Sequence, residues 1–306
     1  SELILSLFSR NIIKTNTSEE AVLETMKEIK GVYAMIFMTD DKLIGVRDPF
    51  GMRPLVLGRK DGIWMLASET CALDALDAEF VRDLEPGEVV SISKNGTVES
   101  YFYEGPNKCD EQRVKNGHVC IFEYVYVARP DSVIDGSSIY ESRVKTGMAL
   151  AKEHPCDCDI VIGAPDSGNA AALGYARQIG VPYGSGLLKN RYVGRTFIQG
   201  TQNQRELAVR MKFSVLKTAV AGKRICIVDD SLVRGTTTKH IIRFLRESGA
   251  KEVHLRLASP EVKFPCCYGV NASVGYELPA TTMSVAQICA MIGADSIGYV
   301  SLESLK

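Results

Sequence analysis

Apolar positions change their period partway along this chain. Over the first hundred residues they come in short bursts. Leu3, Ile4, Leu5, Leu7 and Phe8 read as one helical turn after another, predicting a helix over 2–8. A second amphipathic run, with apolar residues at 21, 22, 23, 26 and 29, follows Thr17-Ser-Glu-Glu, whose hydroxyl and carboxylate stand three apart as in a capping box. β-like runs come next at 32–39, 42–47, 54–58 and 63–67, parted by turn residues at 40–41 and 60–62. A short helix is expected near 69–76, and Pro86-Gly87 and Asn95-Gly96 bracket a hairpin. Helices followed by antiparallel strands predict a layered α+β unit.

A linker, Gly105-Pro-Asn-Lys, then leads to a different rhythm beyond His118. Strands are expected over 159–164, 183–187, 225–228 and 252–258, alternating with helices over 168–180, 236–248 and 284–293. That alternation predicts an α/β doubly wound parallel sheet, whose ligands sit at the carboxyl ends of the strands. The expected division is therefore 1–108, an α+β domain, and 109–306, a doubly wound domain. No internal repeat interrupts either part.

Composition narrows the classes. The 306 residues suffice for two cores, and 45% hydrophobic with 24% charged residues is a globular balance. The longest strongly apolar run, 119–128, is broken by Glu123 and falls short of the ~18 residues that a membrane span needs. No secretory signal opens the chain, and a net charge of −1 argues against wholesale nucleic-acid binding. Nine cysteines, an odd number scattered along the chain, fit reduced thiols in the cytoplasm better than a disulfide framework.

Candidate chemistry concentrates in residues 224–250. The apolar residues Ile225 to Val228 lead into Asp229 and Asp230, then into a Gly/Thr loop, then into an amphipathic helix. Residues Arg234, Gly235, Thr236, Thr237 and Thr238, at a helix N-terminus with its free N–H groups and positive dipole end, read as a phosphate cradle. Carboxylates repel phosphate, so Asp229 and Asp230 require another partner: a ribose diol, a magnesium ion, or both. A phosphate beside a diol is a ribose 5-phosphate. The segment has neither a P-loop nor a dinucleotide fingerprint, and the plainer alternative is a βα turn whose carboxylates cap a helix. A second strand, loop and helix, with Asp166, Ser167 and Gly168 at its turn, can offer N–H groups to another phosphate. Residues 189–212 are basic, with Lys189, Arg191 and Arg195 in the first seven positions; they form either a solvated or nucleic-acid-binding surface loop, or a mobile one that closes over a polyanion.

The run from Val228 to Thr238, including Ser231, resembles the phosphoribosyl pyrophosphate (PRPP) motif of type I phosphoribosyltransferases, and most closely that of the glutamine-dependent amidophosphoribosyltransferase family. Residues 47–55 (Arg-Asp-Pro-Phe-Gly-Met-Arg-Pro-Leu), 66–73 and 84–88 resemble the later part of that family's N-terminal-nucleophile glutaminase domain. The resemblance implies a fold, a type I phosphoribosyltransferase sheet preceded by a partial glutaminase. It also implies a reaction, formation of 5-phosphoribosylamine from PRPP and glutamine-derived ammonia, the first step of purine (IMP) synthesis. Asp166, Ser167 and Gly168 match the pyrophosphate loop; Ser167, Asp229 and Asp230 match the Mg2+-associated positions; Lys189, Arg191 and Arg195 match the catalytic flexible loop. Cys120 and Cys266 match two of the four ligands of the [4Fe–4S] cluster that some members carry. Against them stands the reading of two structural cysteines, and the Cys-x-Cys pair Cys156 and Cys158 is taken as incidental. A leading nucleophilic cysteine is not matched: Ser1 stands first and no cysteine precedes Cys71. The glutaminase is therefore expected to be inactive in this chain, a fragment truncated at both ends. Purine nucleotides as inhibitors and a homo-oligomer follow from the family, with no DNA and no membrane partner. The alternatives are a non-catalytic fragment and a PRPP-binding regulator.

Overall fold

The structure, a computed structural model, describes residues 1–105, 119–190, 192, 211–269 and 278–305. It divides into two compact units, one of residues 1–123, 127–139 and 267–269, the other of 124–126, 140–266 and 270–306. The boundary drawn from the sequence at 108/109 falls outside the described residues.

The first unit opens with α1 (Glu2–Ile12) and α2 (Ser18–Glu28). Helix α1 outlasts its predicted end at Phe8 because Asn11 is buried and its amide donates to Thr25 Oγ1 at 3.2 Å. At α2 half of the predicted capping box forms. Thr17 Oγ1 accepts from the Glu20 N–H at 3.2 Å, whereas the Glu20 carboxylate accepts from Asn16 N–H at 3.0 Å rather than from Thr17. The strands β1 (Ala34–Met38), β2 (Lys42–Arg47), β3 (Val56–Lys60), β4 (Ile63–Ala67), β5 (Glu79–Asp83), β6 (Glu88–Ser93) and β7 (Val98–Phe102) form two antiparallel sheets, ordered β1-β2-β6-β7 and β4-β3-β5. Alternation along β2 and β6 sorts their side chains. Ile44, Val46 and Val89 pack with Phe8, Val22 and Met26 of the helices, while Val90 and Ile92 join Leu55, Leu57 and Leu84 of the second sheet. The predicted α+β layering thus takes the order helices, sheet, sheet. Helix α3 (Thr70–Asp74) follows β4, and a small hairpin, β8 (Val133–Ile134) and β9 (Ser137–Ser138), completes the unit. Strand β5 has polar residues at most of its positions, so no hydrophobic pattern announces it.

The second unit is built on a parallel sheet of β10 (Ile160–Gly163), β13 (Arg224–Asp229), β14 (Glu252–Leu257) and β15 (Ser296–Tyr299), in that order. Successive side chains of β13 take opposite faces. Ile225 and Ile227 pack with Ile241, Ile242 and Leu245 of α7 (Thr236–Glu247) and with Ile288 and Ile292 of α9 (Val285–Ile292). Cys226 and Val228 pack with Leu150 of α4 (Ile139–Glu153) and Ala171, Ala172 and Tyr175 of α5 (Asn169–Ile179). Both faces are covered, as a doubly wound sheet requires, which is why these strands read as continuous apolar runs. Glycines let α4 and α5 touch: a Cβ on Gly174 would lie 2.0 Å from Val144 O, and one on Gly147 1.9 Å from Ala171 O. The antiparallel ribbon β11 (Leu187–Lys189) and β12 (Phe213–Val215) and the short helices α6 (Lys217–Val220), α8 (Pro279–Thr282) and α10 (Leu302–Leu305) complete the unit. The strand expected over 183–187 instead starts at Leu187, with Tyr183 making a single parallel bridge to Val161. No helix of the described residues is long and apolar enough to cross a membrane.

Candidate functional site

Parallel pairing aligns Gly163 at the end of β10 with Val228 at the end of β13. The loops that follow are consequently neighbours, and Ala164 N–H is anchored to Val228 O at 2.8 Å. Gly168 N–H closes the first loop onto Ala164 O at 2.9 Å. A Cβ at Gly168 would lie 2.4 Å from Val228 O, so only glycine allows the loops to approach this closely. The Pro165–Asp166 peptide between them is cis.

Side chains join across that seam. Ser167 Oγ donates to Asp230 Oδ1 at 2.6 Å, and Ser231 Oγ donates to Asp230 Oδ2 at 2.6 Å. Asp230 N–H in turn donates to Asp229 Oδ1 at 2.9 Å. Asp230 is buried, Asp229 is nearly so, and burial together with the adjacent Asp230 charge pushes the Asp229 carboxyl well above the usual carboxylate range. Two neighbouring carboxylates with a hydroxyl beside them form a hard-oxygen set. Mg2+ is characteristically held by one or two carboxylates plus substrate oxygens, so these residues fit that ion, and its charge would relieve the repulsion that raises Asp229.

Past Asp230 the chain turns through Arg234 to Gly235, whose left-handed φ of 76° sets it as the N-cap of α7. Thr236, Thr237 and Thr238 form the first turn of that helix, with Thr238 buried and the other two exposed. The free N–H groups of this turn and its dipole face the space beyond the strand ends, as an anion site requires.

A third element completes the surroundings. Lys189, the last residue of β11, donates from Nζ to Asp166 Oδ2 at 2.6 Å, so the ribbon that carries the basic segment is tied to the first loop. A cavity of about 440 Å³ lies there, lined by Asp166, Asn169, Ser185, Lys189, Asn190 and Tyr192 among others. Asn169, Ser185 and Asn190 were not singled out from the sequence; the Gly184-Ser185-Gly186 triplet was the available signal, since Gly186 packs its backbone against Ile162. Arg191 and Arg195 lie outside the described residues. The structure therefore gathers Asp166, Ser167, Gly168, Lys189, Asp229, Asp230, Ser231 and the 234–238 turn around the ends of β10, β11 and β13. Cys120 and Cys266 belong to different units, and among the described residues no group of three or more His, Cys, Asp or Glu is placed to hold a metal.

Comparison with known proteins agrees with this architecture. Residues 139–258 match the family model of the phosphoribosyl transferase domain, and residues 1–75 that of the glutamine amidotransferase domain. The chain is 48% identical to the amidophosphoribosyltransferase of Methanocaldococcus jannaschii over all of its own length and 66% of that protein's. It is 46% identical to that of Mycobacterium tuberculosis strain H37Rv over 95% of this chain and 54% of that protein. It superposes with a TM-score of 0.87, at 42% identity, on glutamine PRPP amidotransferase from B. subtilis complexed with ADP and GMP, covering 99% of this chain and 64% of that one. The chain thus spans about half to two thirds of the length of these relatives, and with both family models in register along it, it belongs to the amidophosphoribosyltransferase family.

Proposed function

We propose that this chain binds PRPP with Mg2+ and transfers the phosphoribosyl group to ammonia, giving 5-phosphoribosylamine and pyrophosphate, the opening reaction of purine synthesis. The observation that carries the reading is the seam between two adjacent strand ends, where Ser167 of one loop bonds to Asp230 of the other beside Asp229 and the Gly235 turn. A phosphate cradle and a carboxylate pair at that spacing suit a ribose 5-phosphate that carries a further anionic group.

In this reading the 235–238 turn holds the 5-phosphate by backbone N–H donors and threonine hydroxyls. Asp229 and Asp230 accept from the ribose hydroxyls and, with Ser167, would hold the metal. Bound Mg2+ would neutralise the pyrophosphate as it departs. The loop at 166–168 places N–H groups against that pyrophosphate, and Lys189 leaves Asp166 to meet it. The C1–O bond to pyrophosphate breaks while the ammonia lone pair forms the C1–N bond, after which the nitrogen releases a proton. No covalent intermediate with the protein is required; the work is positioning and charge stabilisation.

Glutamine is the nitrogen source that the family resemblance implies, with the ammonia derived from it as the acceptor. A [4Fe–4S] cluster takes four thiolates, which Cys120 and Cys266 do not complete, and no step runs through one. Purine nucleotides are the expected inhibitors, supported by the ADP and GMP of the B. subtilis complex, and a homo-oligomer is the expected state. The test is formation of phosphoribosylamine from PRPP in Mg2+, first with ammonium and then with glutamine. Product with ammonium supports the reading; product with neither favours a non-catalytic scaffold.

A further inference from the structure

One carboxylate stands where the transfer reaction has no evident use for it. Asp166 belongs to the loop after β10, whose N–H groups face pyrophosphate in the transferase reading, and a carboxylate there repels that anion at close range. It does not join the Asp229 and Asp230 set either. The next residue, Ser167, is the one that reaches Asp230, whereas Asp166 bonds to Lys189 at the end of β11.

The ribbon brings positive charge to that carboxylate. Lys189 Nζ donates to Asp166 Oδ2 at 2.6 Å, and a second lysine lies across the ribbon, where Asn190 N–H donates to Lys212 O at 2.8 Å. Lys212 is half-buried; burial and the Lys189 charge lower its ammonium, and the Asp166 charge opposes them. Asp166 thus offsets positive charge at the wall of the 440 Å³ cavity that it lines with Asn169, Lys189 and Asn190. The side chains of Asp166 and Lys189 are 73% and 37% exposed, so water and salt keep their bond weak. A pyrophosphate group entering that cavity carries several negative charges against one, and takes the ammonium from the carboxylate.

We propose that Asp166 is a positioning residue that holds Lys189 when no pyrophosphate is present, yields it when that group arrives, and takes it back as the group leaves. The inference rests on the transferase reading and adds to it a control of product release. Lys189 has two partners in turn, and each bond it makes to Asp166 is one that it does not make to pyrophosphate. Pyrophosphate gripped by Mg2+, loop N–H groups and an uncontested lysine would leave slowly. A carboxylate that competes for the ammonium shortens its stay, at the cost of weaker initial binding.

The experiment is calorimetric titration of pyrophosphate with Mg2+ into the native chain, Asp166→Asn, Lys189→Met and the double variant, each at low and high potassium chloride. Asp166→Asn is expected to bind pyrophosphate about fivefold more tightly than the native chain, with the gain shrinking as salt rises. In the Lys189→Met background the same substitution should gain less than about twofold, because the competition has lost its object. Damage to the fold would weaken binding, so a gain in affinity is not its by-product. Unchanged or weaker binding in Asp166→Asn, or an equal gain with and without Lys189, would overturn the inference and leave the transferase reading standing. A native chain that binds no pyrophosphate would sink both.

Discussion

At the scale of single residues, Asp229 and Glu19 show opposite uses of a buried carboxylate. Burial and the Asp230 charge hold the Asp229 carboxyl above its ordinary value, so the folded chain retains a proton there that the unfolded chain releases. Stability contributed by this group is greatest below the unfolded pKa and declines as pH rises toward the folded one. Asp229→Asn is accordingly expected to stabilise the metal-free chain by about 1 kcal/mol at pH 8 and by less at pH 4, with transferase activity reduced about a hundredfold or more. Thermal unfolding at the two pH values without Mg2+ checks the first, and a pyrophosphate-release assay the second. Glu19, fully buried in the first unit, runs the other way. Burial alone would raise it, but Lys42 Nζ at 2.8 Å and Ser91 Oγ at 2.5 Å outweigh that and take it from its usual 4.5 down to about 2. Its contribution is present above pH 4.5 and is lost as pH falls toward 2. Glu19→Gln should cost about 2 kcal/mol at pH 7, with the gap closing on acidification, as read by chemical denaturation across that range.

At the scale of elements, the legible parts were those with strong local pattern. Residues 225–228 and the helix after Gly235 are a burst of apolar residues, a glycine and a 3.6 period, and each emerged within a residue or two of its predicted place. Helix α4 and strand β15 went unread. Helix α4 has no clean apolar stripe, because its contact with α5 is made through glycine and backbone, and β15 is four residues long with Gly298 inside it. Strand β5 earns its place by main-chain pairing to β3 alone. The same close contact that hid α4 makes a prediction. In Gly174→Ala the new methyl would lie 2.0 Å from Val144 O, backbone against backbone, so the helices must separate. The expected loss is about 3 kcal/mol, read as a lower midpoint in urea, and Ala176→Gly on the same helix should cost only about 1 kcal/mol.

At the scale of the whole molecule, motif and topology supplied different halves of the site. The residues Asp229, Asp230, Ser167 and Gly235 could be picked out one by one from their loops. Their convergence depends on β10 and β13 being adjacent and parallel, and sixty residues of intervening chain separate those strands in sequence. The ion pair of Lys189 with Asp166 has the same origin, since spacing along the chain does not place β11 against the first loop. Family resemblance supplied what local pattern could not: the pyrophosphate and the ammonia. The central claim is that these two strand ends together form a Mg2+–PRPP site. Titration calorimetry of PRPP into the chain measures it most directly. The account predicts saturable binding in Mg2+ that weakens at least tenfold in EDTA and in Asp230→Asn, a variant whose unfolding midpoint confirms that it is folded. Equal PRPP affinity in the native chain and a folded Asp230→Asn, with and without Mg2+, would contradict it.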